Sequence, residues 1–245
     1  MLTRSSGYLS LRPGTAPAAV ESLQSEGYVV LDGIVGGEEL AALCAEVERV
    51  FEEYPPDQRG DPPERSAPFR YEMLNRSGLV ERAIGNPRIL EIVEPLLGED
   101  CHVIANTAWR QESGDNRHLG RFWHIDSGPH VPRDPSVPWD PRIPYPVFAI
   151  AAHLYLWDCP IEAGPTGVIP GSHMSGQAPP VERLADDDLT WEARGALPIV
   201  AEAGDVALFV SDVWHRRLPA QSGDPGRMFI QCHYCLLYTS DAADE

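Results

Sequence analysis

Near residue 101 the chain changes character, and that break limits its fold more than any other feature of the sequence. Ahead of it lie segments with helical periodicity. "APAAVESLQSEG" (16–27) closes on glycine, and "GGEELAALCAEVERVFEEY" (36–54) sets Leu40, Leu43, Val47, Val50 and Phe51 along one face, with acids in its first turn. Between them "YVVLDGIV" (28–35) is alternating and β-branched, a strand signal, and "GNPRILEIVEPLLGED" (85–100) returns to helix after a proline-rich loop at 54–70. Beyond the break come short apolar or alternating runs: "CHVIANTAWRQ", "RFWHID", "VFAIAAHLYLWD", "ALPIVAEAG", "DVALFVSDVWH" and "RMFIQCHYCLLY". Turn-rich segments such as "SGPHVPRDPSVPWDPRIP" divide them. Helices first and strands afterwards predict an α+β chain whose main body is an antiparallel double sheet. The 24 prolines and 21 glycines fit a loop-rich sheet protein and argue against a helix bundle.

No internal repeat or linker divides the 245 residues, so a single domain is expected over 1–235. The closing "LLYTSDAADE" (236–245) reads as a non-native read-through tail. A formal charge of −18, from 19 basic and 37 acidic residues, disfavours a nucleic-acid groove or an anionic membrane surface as partner, because phosphate repels an acidic face. Every basic residue is arginine and none is lysine, which excludes Schiff-base chemistry, a phosphate-loop lysine and a lysine general base. The five cysteines are odd in number, and Cys232 with Cys235 makes a lone CxxC without a second pair, so they read as buried thiols of a reducing compartment. "MLTRSSGYLSLRPG" lacks the apolar centre of a signal peptide and no run reaches membrane-spanning length, which gives a cytoplasmic expectation.

Chemistry concentrates in "GRFWHIDSGPH" (120–130). Positions i and i+2 of a strand share a face, so His124 and Asp126 can point together into a cavity as two ligands of one ion. Far downstream, "AEAGDVALFVSDVWHRRLPAQSGDPGRMFIQCHY" (201–234) turns at Gly-Asp into an apolar strand that delivers His215, and the following strand opens at Arg227. Two histidines and one carboxylate in this order match the facial triad that covers one face of an octahedral iron(II) and leaves the other open. A planar guanidinium such as that of Arg227 can grip a carboxylate through two parallel hydrogen bonds and stays charged when partly buried. The remaining histidines, His102, His118, His130, His153, His173 and His233, read as structural or substrate-facing. "IPGSH" (169–173) reads as a turn, the arginines at 110, 117, 121, 133 and 142 as a solvated loop face or an anion-holding rim, and Trp139 and Tyr145 as a lid or substrate wall.

In order along the chain, "WHID", "EAGPTGVIPGSH" (162–173), "DVWH" and the arginine of "RMFIQCHY" resemble the phytanoyl-CoA dioxygenase-like branch of the iron(II)/2-oxoglutarate-dependent oxygenases. The resemblance extends from "GYVVLDGIV" to "RMFIQCHY". It implies a double-stranded β-helix core, jelly-roll and cupin-like, with the N-terminal helices packed on the outside. It further implies Fe(II) held by His124, Asp126 and His215, 2-oxoglutarate anchored by Arg227, and O2 as co-reactant. The implied reaction hydroxylates an unactivated C–H bond of a small-molecule substrate while 2-oxoglutarate becomes succinate and CO2. Halogenating relatives carry a small residue in place of the carboxylate, so Asp126 favours hydroxylation. Arg217 departs from the family pattern, which often has a small hydroxyl residue two positions after the distal histidine, and it stands as a helper or rival of Arg227. Two other readings stay open: a cupin-like zinc or manganese isomerase or hydrolase without 2-oxoglutarate, and a non-catalytic binding module on the same fold.

Overall fold

The computed structural model describes residues 10–11, 16–56, 67–114, 120–134, 136–137, 139–140 and 142–237. The centre of the proline-rich loop (57–66), Arg117, His118 and the last eight residues of the expected tail (238–245) lie outside the described residues. In chain order the elements are β1 (Ser10–Leu11), α1 (Ala16–Ser25), β2 (Tyr28–Leu31), α2 (Gly37–Glu53), β3 (Phe69–Tyr71), α3 (Gly78–Ile84) and α4 (Pro87–Leu97), then β4 (His102–Gln111) and β5 (Ala149–Tyr155). They continue with β6 (Thr166–Val168), β7 (Leu197–Pro198), β8 (Val206–Val210), β9 (His215–Arg217) and β10 (Arg227–Cys235). Among the described residues the strands make a seven-stranded sheet, β1-β2-β8-β5-β10-β4-β3, and a three-stranded one, β7-β6-β9. All pairings are antiparallel except β1 with β2.

The α+β expectation holds, and the reason is visible in the period-two pattern of the central strands. On β10, Met228, Ile230, Cys232 and Tyr234 face the helices and pack with Ile150, Leu154 and Leu208 against Leu43, Val47, Val50, Ile89, Ile92 and Val93. Each of the buried Val, Leu, Ile and Met side chains among these contributes roughly 1.5–3 kcal/mol. The opposite faces, including Ala151, Tyr155, Ala207, Phe209 and Phe229, close on Val168 of the smaller sheet and on Ile199, just beyond β7. Sheet faces buried on both sides explain why these segments read as nearly continuous apolar runs.

Some local expectations change. The strand expected over 28–35 stops at Leu31, because Gly33 turns the chain and its N–H donates to Asp205 Oδ1 at 2.8 Å. The helix expected over 85–100 starts at Pro87, capped by Asn86, and a separate short α3 precedes it, capped by the Ser77 side chain. "RFWHID" forms no strand: His124 makes an isolated antiparallel bridge to His215. His215 is delivered by β9, in the other sheet, after β8 has ended and the chain has turned through 211–214.

"PGSH" does shape a turn, with Gly171 at φ 80, and it also seats His173 in the interior. His173 is 1% exposed, and its Nε2 lies 3.0 Å from the Gln24 carbonyl. Gly27, at φ +82, is obligatory beside it, since a Cβ there would stand 2.6 Å from His173 Nδ1. Burial pushes the His173 pKa down to about 4, against the Gln24 hydrogen bond and the charges of Asp212 and Glu26, which act to raise it. The unfolded chain takes up that proton near pH 6.5. Stability from this group is therefore complete above pH 6.5 and is lost as pH falls from there to about 4, on the order of 3 kcal/mol in all. His173→Gln is expected to flatten that part of the acid limb, measured as urea midpoints at pH 7 and pH 5; an unchanged difference would refute it.

Candidate metal centre

Two extended segments from distant parts of the chain carry the candidate ligands. His124 and His215 exchange both backbone hydrogen bonds at 3.0 Å, and the Asp126 N–H donates to the Ser211 carbonyl at 3.0 Å. This register preserves the shared face of His124 and Asp126 expected from their spacing, although no strand is formed. In both histidines Nδ1 meets the carbonyl oxygen two residues earlier, Phe122 at 2.7 Å and Val213 at 2.9 Å. A carbonyl can only accept, so each Nδ1 carries a proton, and in the neutral ring each Nε2 presents its lone pair. The two imidazole centroids are 4.3 Å apart.

Asp126 stands between them. Its Oδ1 is 3.4 Å from His215 Nε2 and 3.8 Å from His124 Nε2, and one donor atom from each of the three residues lies within 4.8 Å of the others. Their side chains are 42% (His124), 18% (Asp126) and 7% (His215) exposed, so the cluster opens to solvent on the His124 side. Burial acts to raise the Asp126 pKa, but the charge and hydrogen bond of His215, with His233 and His124 behind, hold it below the usual carboxylate range. For His215, burial acts to lower the pKa and Asp126 more than reverses it; for His124, burial followed by His215 lowers it.

The cluster borders a cavity of about 150 Å³ that is also lined by Trp109, Thr166, Arg217, Arg227, Phe229 and Gln231. Arg227 opens β10 and is 4% exposed; its Nε donates to Gln111 Oε1 at 2.5 Å and its Nη1 to the Gly164 carbonyl at 3.0 Å. Among the described residues no carboxylate forms an ion pair with it. Burial, then the nearby Arg217, pushes its pKa down to about 10, which still leaves it charged at neutral pH. A buried guanidinium facing a cavity without an acidic partner is suited to an anion that arrives from outside. Arg217 is two residues beyond His215 on β9 and lines the same cavity.

β10 alternation brings in residues that motif spacing alone did not mark. Gln231 and His233 follow Arg227 and Phe229 on the inner face. The Trp109 indole donates to Gln231 Oε1 at 2.8 Å, Gln231 Nε2 lies 2.9 Å from His233 Nε2, and His233 Nε2 lies 3.4 Å from Asp126 Oδ2. An indole can only donate, so the Gln231 oxygen must face Trp109 and its amide donates to a bare His233 Nε2. Burial lowers the His233 pKa, in keeping with that neutral form. The even spacing from Arg227 is the signal that could have placed His233 at the site.

The other candidates fall elsewhere. His102 is exposed, and His153 also lines the cavity, buried among Phe209, Tyr155 and Phe229 and held neutral by burial. His130 binds Asp212. Arg110 pairs with Glu112, Arg142 with Asp140, Arg121 lies over Phe122, and Arg133 donates to the Met174 carbonyl; none of the four lines the cavity. Trp139 and Tyr145 do not form a wall of this cavity: Tyr145 is buried against His173, and Trp139 packs on Tyr145.

An antiparallel double sheet that converges two imidazoles, a carboxylate and a buried guanidinium on one cavity defines the jelly-roll class of iron- and 2-oxoglutarate-dependent enzymes. Within that class, the phytanoyl-CoA dioxygenase (PhyH) family model matches residues 23–229, and the chain belongs to that family. Solved structures of similar fold include the epimerase SnoN in complex with Fe3+, alpha ketoglutarate and nogalamycin RO, with TM-score 0.67 and 19% identity over 91% of this chain and 84% of that one. The non-heme alpha ketoglutarate dependent carbocyclase SnoK from nogalamycin biosynthesis aligns with TM-score 0.65 and 21% identity over 91% of this chain and 86% of its own. EvdMO1 aligns with TM-score 0.65 and 18% identity over 90% of this chain and 50% of its own. No curated protein matches the sequence. No helix among the described residues is long and apolar enough to cross a membrane.

Proposed function

We propose that the protein is an iron(II)/2-oxoglutarate-dependent dioxygenase that hydroxylates an unactivated C–H bond of a small-molecule substrate. His124 Nε2, the Asp126 carboxylate and His215 Nε2 hold the iron, and Arg227 holds the far carboxylate of 2-oxoglutarate. The observation that carries this reading is the convergence of two bare Nε2 lone pairs and one carboxylate beside a buried arginine without an acidic partner among the described residues. The donor set fits iron(II), and the guanidinium fits a dicarboxylate. When bound, iron and 2-oxoglutarate supply with O2 the oxidant for the C–H bond, with succinate and CO2 as coproducts.

The chain's own part is positioning. The Phe122 and Val213 carbonyls fix both imidazole tautomers, and the backbone exchange between His124 and His215 fixes their separation. Phe229 and the buried His153 place aromatic rings along one wall of the cavity. A carboxylate at position 126 occupies the place that would have to be vacated for halide, which favours hydroxylation. The epimerase and carbocyclase among the fold neighbours mark the other outcomes against which hydroxylation must be tested.

The test is anaerobic loading with iron(II), 2-oxoglutarate titration, then exposure to air with succinate as readout. Succinate release, stimulated by a substrate that gains one oxygen atom, is the expected result. Stimulated release with a substrate that gains no oxygen would replace hydroxylation by another oxidative outcome. Absence of both succinate and Arg227-dependent 2-oxoglutarate binding would favour the cupin-like reading.

A further inference from the structure

Four backbone hydrogen bonds join the two ligand-bearing segments, the pair between His124 and His215, one from Arg217 to Gly120 at 2.6 Å and one from Asp126 to Ser211, and none of them reaches past Asp126. The Asp126 backbone is solvent-exposed while its carboxylate must be placed between two imidazoles, so main-chain packing alone does not fix it. The next four residues of the chain do. Gly128, at φ +100, bends the backbone so that His130 returns to the turn ahead of β9. There His130 N donates to Asp212 Oδ2 at 2.9 Å and His130 Nδ1 lies 2.5 Å from Asp212 Oδ1, so both carboxylate oxygens are engaged by one residue. Asp212 is 4% exposed and sits three residues ahead of His215.

Two further features indicate a fitted joint. The His130 ring lies flat on Phe148, with centroids 5.3 Å apart and planes 8° from parallel, next to the start of β5. A Cβ at position 128 would stand 2.6 Å from His130 N and 2.7 Å from Asp212 Oδ1, so only glycine admits this closure. Asp212 neighbours Ser211, whose carbonyl accepts from Asp126 and whose N–H donates to the Ala149 carbonyl at 3.0 Å. The joint thus ties the Asp126 segment, the turn leading to His215 and the start of the central strand β5 into one unit.

We propose that His130 and Asp212 are positioning residues: a buckle that locks the segment bearing His124 and Asp126 to the turn bearing His215, and so sets the geometry of the three ligands. This rests on the reading of those three residues as a metal centre. Ligand sets lose affinity when their supporting hydrogen bonds loosen, typically about 10–100-fold.

The experiment uses the full metal-free chain and cobalt(II) as probe, with the ligand-field absorption band and the dissociation constant as readouts. His130→Phe keeps a ring for Phe148 but removes the donor, His130→Asn keeps a donor near the Nδ1 position but removes the ring, and Asp212→Asn removes the charge. His130→Phe and Asp212→Asn are expected to weaken cobalt binding about 10–100-fold and to alter the band, with His130→Asn restoring most of the affinity. A buckle that served only the fold would lower thermal stability in His130→Phe without moving the band. Should Asp212→Asn fail to fold, His130→Phe alone decides. Cobalt affinity and band unchanged in His130→Phe would overturn the proposal. A wild-type chain that takes up no cobalt would refute the metal centre itself, and the buckle with it.

Discussion

Asp126→Ala is expected to leave a folded chain that no longer holds iron(II) and releases no succinate. The Asp126 N–H, which carries the backbone bond to Ser211, is unaffected by the change, so the register of the two segments survives. What disappears is the only anionic group of the cluster, whose Oδ1 lies within 3.8 Å of both facing imidazoles and which keeps the His215 pKa raised. Two neutral nitrogens without the carboxylate make a poor site for a hard divalent ion, and the loss should exceed the ~100-fold upper end seen when supporting residues are removed. His215→Ala should do the same, and with little rescue by added metal, because its ring is the most enclosed of the three. Metal content after dialysis and the iron–2-oxoglutarate charge-transfer band are the measurements. Full activity with wild-type metal content in Asp126→Ala would remove the ligand assignment.

How much of this was readable in the sequence depends on whether the signal was local. The pairing of His124 with Asp126 was legible because two residues in extended backbone share a face whether or not a strand forms, and the isolated bridge to His215 supplies enough extension. The position of His215 was legible but its carrier was not. "DVALFVSDVWH" runs without glycine or proline, so the turn at 211–214 and the change of sheet between β8 and β9 leave only Ser211 and Asp212 as a polar interruption. Helix α3 was missed because seven residues hold too little periodicity to register. The supports of the site were the hardest to see. Gln111 reaches Arg227 through the β4–β10 register, and His130 reaches Asp212 across a separation that only the fold closes. Non-local pairings of this kind are set by sheet order, which hydrophobic period does not encode.

Arg227→Met should separate cosubstrate recognition from metal binding. The guanidinium keeps its charge despite burial and has no carboxylate partner among the described residues, so its desolvation is offset by Gln111, Gly164 and the Phe229 ring until an anion arrives. An incoming dicarboxylate completes the pairing, and 2-oxoglutarate is accordingly expected to raise the melting temperature of the wild-type protein, with a shift that keeps growing with the logarithm of its concentration above the Kd. Methionine fills much of the same volume without charge, and 2-oxoglutarate affinity should fall by about 100-fold or more, since a buried carboxylate left unpaired costs several kcal/mol. Lysine, a point charge that cannot match the planar two-bond geometry, should recover only part of the loss. The comparison with 2-oxobutyrate, which lacks the far carboxylate, makes the assignment specific: the wild type should prefer 2-oxoglutarate strongly, and Arg227→Met should bind the two nearly alike. Cobalt affinity should stay at the wild-type level throughout, because the Arg227 hydrogen bonds go to Gln111 and Gly164 and not to the three ligands. If Arg227→Met retained the preference for 2-oxoglutarate while Arg217→Gln lost it, the anchor would be the arginine of β9, and the guanidinium of β10 would be a structural member of the β4–β10 pair.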